Sequence, residues 1–324
     1  MVSVHQRPDS ARLIFFGTPA FAVPSLGALL QSPHRVVAVV TQPDRPRGRG
    51  HAVSPSPIKS LALEHDISIL QPDHLKDASI AARLADYRAD LGVVAAYGRI
   101  LPESILSSTP RGFINVHASL LPKYRGAAPI HRAIIAGERE TGVTIMRIAR
   151  ALDAGPMLAH ARRPIGPDET SDVVERDLAE LGATLLLETI AGVLTGTIRE
   201  VEQDDAHATY APRITRSDGV IDWDQSATGI HDLVRGLHPW PHAFTYLGQT
   251  RLVIHHAAVL QDSSSAPPGT ILQASDGRIV VAARSGTIDL TVLQVEGGRR
   301  MAARDFLAGR RLEVGSTFTR APTP

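Results

Sequence analysis

The chain has 324 residues, of which 43% are hydrophobic and 21% charged, and its net charge is +1. That is enough apolar material for a sizeable core, most naturally in two domains, and too balanced a charge for a generic polyanion binder. The absence of cysteine excludes disulfides, thiolate zinc sites and thiol nucleophiles. The opening stretch MVSVHQRPDSARLIFFG has no signal-peptide core, and no uninterrupted apolar segment approaches the length of a membrane span, so a cytoplasmic protein is expected.

In chain order, residues 11–17 read as a buried strand, 19–32 as a helix and 35–42 as a second strand. Thr18 followed by Pro19 predicts a helix start, with a hydroxyl N-cap and proline at the first helical position. Residues 41–59, TQPDRPRGRGHAVSPSPIK, form a long loop that cannot pack as helix or strand. A helix at 57–65, a strand at 67–70, a helix at 75–86 and a strand at 90–98 follow, then a strand that ends on Asn115 and His117. Strands at 142–148 and over PMLAHARRPI precede a long helix from Thr170 to Leu194. This alternation predicts a doubly wound α/β sheet covered on both faces. Beyond residues 196–215 the texture changes to a helix at 226–237 and short alternating strands broken by Gly and Pro, as expected of a small β-barrel. The predicted organisation is a catalytic domain at 1–195, a linker at 196–215 and a second domain at 216–324.

Asn115 and His117 are the candidates for chemistry. At i, i+2 they leave one face of a strand, at the carboxyl edge where doubly wound sheets collect their sites. An amide can steady a developing oxyanion and an imidazole can move a proton, which together suit attack on a carbonyl. Either residue alone is better explained as a strand-end polar group. Asp153, in the turn of ALDAGPML, is placed to orient His117, although Asp before Ala-Gly is also an ordinary turn residue. The single glycine of GTPAF makes a dinucleotide fingerprint weak. The fourteen histidines include no His-Glu-x-x-His pair, and His255 and His256, adjacent on a strand, should point to opposite faces, so a metal site is not expected. Arg45, Arg47 and Arg49 alternate with Pro and Gly in the 41–59 loop. They suit either a solvated loop or a basic arm for a phosphate backbone.

In their order and spacing the blocks FFGTPAFAVPSL, TQPDRPRGRG, SPIK, VVAAYGRILP, NVHASLLPKYRGAAPI, ETGVTIMRI, LDAGPML, IDW and HPWP resemble the methionyl-tRNA formyltransferases, from about residue 11 to about 313. The resemblance implies a Rossmann-like catalytic domain joined to an OB-like β-barrel. It implies the catalytic trio Asn115, His117 and Asp153, and a folate-binding segment at Ser119, Leu120, Leu121 and Pro122. Formyl transfer from 10-formyltetrahydrofolate to the α-amine of initiator methionyl-tRNA would need no metal. The alternatives are a relative that formylates an amino sugar nucleotide, which generally lacks the arginine-bearing loop, and a non-catalytic RNA-binding module, which would not need the trio.

Overall fold

The computed structural model describes residues 10–47 and 52–323. They group into two compact units, one holding the chain up to Pro129 with Glu140–Pro164 and Glu175–Ala211, the other Ile130–Arg139, Ile165–Val174 and the chain from Pro212.

The first unit begins with β1 (Arg12–Gly17), α1 (Val23–Gln31) and β2 (Arg35–Val40). A hairpin of β3 (Arg45–Arg47) and β4 (Ala52–Ser54) leads to α2 (Pro57–Glu64) and β5 (Ser68–Leu70). The chain continues through α3 (Ala78–Asp86), β6 (Leu91–Ala95), α4 (Glu103–Leu106), β7 (Phe113–His117) and β8 (Arg125–Gly126). After α5 (Pro129–Ile135), which falls in the second unit from Ile130 on, come β9 (Glu140–Arg147), β10 (Met157–Pro164), α6 (Ser171–Thr195), which belongs to the first unit from Glu175 on, and the short β11 (Tyr210–Ala211). The main sheet runs β10-β9-β7-β6-β1-β2-β5. The strands from β7 to β5 are parallel, while β9 is antiparallel to both β7 and β10. The chain order reverses at β1, so the doubly wound class expected from the alternation is the one observed.

The central strands are apolar almost throughout because both their faces are covered: every residue of β6 is buried, as are the last five of β1. On one face Phe16 packs edge-on against Tyr97 and Phe113. α6 is long and apolar enough, by length and composition alone, to span a membrane, a property that the expected shortage of apolar segments did not anticipate. Its pattern is nonetheless that of a core helix. Val174, Leu178, Ala183, Leu186, Ile190 and Val193 are buried at helical spacing, while Arg176, Glu180, Thr184 and Glu188 are exposed on the other side. Gly182 sits where a Cβ would fall 2.8 Å from Val116, so its lack of a side chain sets how closely α6 approaches β7.

Two local expectations fail here. Thr18 does not cap α1: a 3-10 turn at Ala20–Ala22 intervenes, with Pro19 at its N-cap, and the Thr18 hydroxyl accepts instead from the Gln42 N–H at 3.4 Å. The 41–59 segment is not wholly irregular, since β3 and β4 pair antiparallel with Arg45 opposite Ser54. The base of this hairpin is pinned by Thr41–Ser56 at 2.8 Å, by the Lys59–Asp44 ion pair and by Gln71, which donates to the Gln42 carbonyl and the Asp44 carboxylate.

The second unit carries α7 (Ala227–Gly236), capped by the Ser226 hydroxyl, and then β12 (Ala243–Leu247) and β13 (Thr250–Leu260). Strands β14 (Ile271–Ser275), β15 (Arg278–Ala282), β16 (Thr287–Val295) and β17 (Met301–Ala302) and helix α8 (Ala303–Gly309) complete it. These strands form an antiparallel sheet ordered β12-β13-β16-β15-β14, with β17 on β16. Residues 315–319 bond on one side to Gly269 and Ile271 and on the other to Tyr246, joining the two edges as in a small barrel. The alternation expected of His255 and His256 is broken by a bulge at this point of β13. His255 lies 4.3 Å from His242 and His256 lies 6.0 Å from His238, ring to ring, so both reach the 238–242 segment.

Candidate functional site

β7 delivers its last residues to the carboxyl edge of the main sheet. Asn115 is half-buried, and its amide has no hydrogen-bond partner among the described residues. His117, two residues on, is only 5% exposed. Its Nε2 lies 3.0 Å from the Tyr124 carbonyl and its Nδ1 lies 3.7 Å from Asp153 Oδ2. A carbonyl can only accept, so Nε2 carries the hydrogen of the neutral ring, and the lone pair is left at Nδ1 on the Asp153 side. At 3.7 Å the carboxylate and imidazole are in ion-pair range but too far apart for a direct hydrogen bond. The structure thus brings all three sequence-predicted residues of the trio to one place.

Asp153 stands on a tight turn in the left-handed region, at φ +47°. Asp tolerates that conformation better than most residues, at some cost in strain. Its Oδ2 accepts from the Gly126 N–H at 2.9 Å. Gly126 has φ +122°, and a Cβ there would meet the Ala211 carbonyl oxygen at 2.7 Å, so this N–H reaches the carboxylate only because the residue is glycine.

The loop from Ser119 to Pro122 leaves directly from His117. Ser119 and Leu121 are buried, whereas Leu120 and Pro122 are half-buried. The Ser119 hydroxyl donates to the Lys123 carbonyl at 2.6 Å. The Ser119 carbonyl accepts from Thr144 Oγ1 at 2.7 Å, and the same hydroxyl oxygen accepts from Leu121 N at 3.2 Å. This loop is therefore preformed by its own hydrogen bonds and by β9. Arg45 is exposed at the start of β3, Arg47 ends that strand, and Arg49 lies outside the described residues. Among the described residues no group of three or more His, Asp or Glu side chains could hold a metal ion.

Sequence reasoning missed the supports of the site: Arg125, Thr144, Gln203 and Thr209. Thr209 accepts from Tyr124 N through its hydroxyl at 2.9 Å and from Arg125 N through its carbonyl at 2.8 Å. No local signal marks these residues, because each acts across a long separation.

Residues 11–190 match the family model described as formyl transferase, and residues 213–311 match the one described as formyl transferase, C-terminal domain, which defines the class. The chain is 45% identical over 309 residues to a methionyl-tRNA formyltransferase of Desulfotalea psychrophila, covering 95% of this chain and 96% of that one. It is 47% identical over 306 residues to the enzyme so named in Methylococcus capsulatus, with 93% and 99% covered. The fold is also that of an N-formyltransferase from Helicobacter canadensis, solved with folinic acid and dTDP-3-aminofucose, at TM-score 0.67 but only 17% identity, over 86% of this chain and 98% of that one. The chain belongs to the methionyl-tRNA formyltransferase family.

Proposed function

We propose that this chain transfers the formyl group of 10-formyltetrahydrofolate to the α-amine of initiator methionyl-tRNA, in the cytoplasm, and that Asn115, His117 and Asp153 carry the reaction. The observation that supports this most is His117 Nδ1 lying 3.7 Å from Asp153 Oδ2, two residues along the strand from an amide that has no partner among the described residues. The methionyl amine attacks the formyl carbon, and the carbonyl oxygen becomes an oxyanion within reach of the Asn115 N–H donors. The amine proton passes, through one water, to His117 Nδ1, and the resulting imidazolium is stabilised by Asp153. The C–N10 bond then breaks as His117 returns the proton to the folate nitrogen. Holding amine and formyl carbon together, and aiming fixed dipoles at the oxyanion, supplies most of the acceleration.

In this reading the preformed loop at Ser119, Leu120, Leu121 and Pro122 lines the folate site. Arg45, Arg47 and Arg49 contact the tRNA, with the catalytic part of the chain before the 196–215 segment and an RNA-binding part after it. The amino-sugar formyltransferase reading is weaker: that kind of neighbour shares the fold at 17% identity, against 45–47% for the tRNA enzymes. The test is whether the purified protein consumes formyl-folate when methionylated initiator tRNA is present and not with uncharged tRNA or an amino sugar nucleotide. Turnover with the sugar nucleotide instead would overturn the reading.

A further inference from the structure

Two residues of the run Tyr124, Arg125 and Gly126 hold the two ends of the His117–Asp153 pair directly, and the third acts through Gln203. The Tyr124 carbonyl takes the imidazole and the Gly126 N–H takes the carboxylate. The Arg125 side chain, 3% exposed, turns to Gln203: its Nε donates to Gln203 Oε1 at 2.9 Å, while a terminal nitrogen pairs with Asp205 at 2.8 Å. Gln203 completes the circuit. Its Nε2 donates to the Asp153 carbonyl and to the Gly155 carbonyl, both at 2.8 Å. The orientation of this amide is settled by chemistry, because guanidinium only donates and carbonyls only accept.

We infer that Gln203 is a positioning residue for Asp153: with its amide oriented by Arg125, it clamps both ends of the left-handed turn from which the carboxylate faces His117. The inference rests on the catalytic reading of Asp153 given above. A non-glycine residue at φ +47° persists only where its surroundings over-determine it. Here two hydrogen bonds to carbonyls on either side of Ala154 do so, from a side chain that is itself locked. A buried guanidinium is costly unless its donors are matched, and it adds little net stability when they are. Its pairing with an 84% exposed carboxylate side chain makes sense chiefly as a means of fixing geometry. The backbone that carries Gln203 is docked nearby, since Val201 exchanges hydrogen bonds with Met157 at 2.8 and 2.9 Å and Arg147 pairs with Glu200 at 2.8 Å. The amide is therefore held from behind while it holds the turn in front.

Gln203→Glu is the discriminating variant. It keeps the acceptor for Arg125 and the size of the side chain, but it sets an oxygen against two carbonyl oxygens. The expected result is a fall in kcat of about 10- to 100-fold, the scale on which misplacing a reacting group by an ångström acts. KM for formyl-folate and for methionyl-tRNA should stay within about threefold of wild type, and the protein should remain folded with a modestly lower melting temperature. In single-turnover assays Gln203→Glu added to Asp153→Ala should cost little beyond Asp153→Ala alone, because residues that act as a unit are not additive. If Gln203→Glu does not fold, Gln203→Asn carries the same test, since its shorter amide cannot span from Arg125 to both carbonyls. A folded variant with wild-type kcat, or a fully additive double variant, would overturn the inference alone. An inactive wild-type protein, or an active Asp153→Ala, would instead overturn the proposed function.

Discussion

His117 and Asp153 face one another at 3.7 Å across a gap that neither side chain closes, with the imidazole anchored on its far side to the Tyr124 carbonyl at 3.0 Å. The hydrogen bond to that carbonyl sets the ring's orientation, and its other nitrogen lies beside the Asp153 carboxylate. Asn115→Ala, His117→Ala and Asp153→Ala are each expected to lower kcat while leaving tRNA affinity and melting temperature near wild type. Loss of one oxyanion donor typically costs about 100- to 1000-fold, which sets the scale for Asn115. A single-turnover rate near wild type in any of the three removes that residue from the mechanism.

Asn115 and His117 were legible in the sequence because two polar side chains at i, i+2 end an otherwise apolar strand. Asp153 was weaker by itself, since Asp-Ala-Gly is ordinary turn chemistry, and it gained weight only from the family blocks around it. The clamp was not legible. Arg125 and Gln203 are 78 residues apart, and Gln203 lies in a polar stretch that looks like a connector. The β3–β4 hairpin was hidden because Pro and Gly mask the alternation by which a strand is recognised. The turn at Ala20–Ala22 displaced a cap that the Thr-Pro pair would have supplied to a helix beginning one turn earlier. The bulge at His255 and His256 defeated simple alternation, which assumes regular pleating.

Gly126→Ala should damage both stability and rate. The added methyl group would sit 2.7 Å from the Ala211 carbonyl oxygen, on a backbone with φ +122°. Backbone strain of this kind costs on the order of 1–3 kcal/mol. Any relaxation also withdraws the N–H from Asp153 Oδ2. The expected outcome is a lower melting temperature together with a kcat loss in the protein that remains folded. An unchanged melting temperature and rate would mean that the loop has a second, equally good arrangement.

The histidine cluster of the barrel unit predicts an acid-sensitive fold. Burial, reinforced by the charges of His255, His238, Arg300 and His256, pushes His242 down from 6.5 to about 4. Burial also lowers His255 and His256. The Nδ1 atoms of His238, His242 and His255 are buried without hydrogen-bond partners among the described residues. His242 takes up its proton near 6.5 in the unfolded chain and only near 4 in the folded one, so the unfolded state binds more protons in between. The stability contributed by neutral His242 is complete above about pH 6.5 and declines as pH falls towards about 4. His242→Gln should make melting temperature less steep in pH over that window, and an unchanged slope would show that acid sensitivity arises elsewhere.

Arg45, Arg47 and Arg49 give the sharpest test of the RNA partner. Thr41–Ser56, Lys59–Asp44 and the Gln71 bridges fix the base of the hairpin, so β3 projects from a rigid root and Arg45 is exposed at its start. If they contact the tRNA, these arginines would act as phosphate clamps, adding affinity without reading sequence and releasing counterions on binding. Replacing Arg45, Arg47 and Arg49 together with alanine should weaken binding of methionyl-tRNA and flatten its dependence on salt. Each lost contact should lower the log–log slope by roughly 0.7 to 0.9. Formyl-folate affinity should change little, because the Ser119–Pro122 loop is built from its own hydrogen bonds and from Thr144 on β9. A fall in kcat larger than the fall in affinity would show that the hairpin also steers the methionyl end towards Asn115. An unchanged salt slope would show that these arginines are solvated and that the tRNA is held elsewhere on the protein.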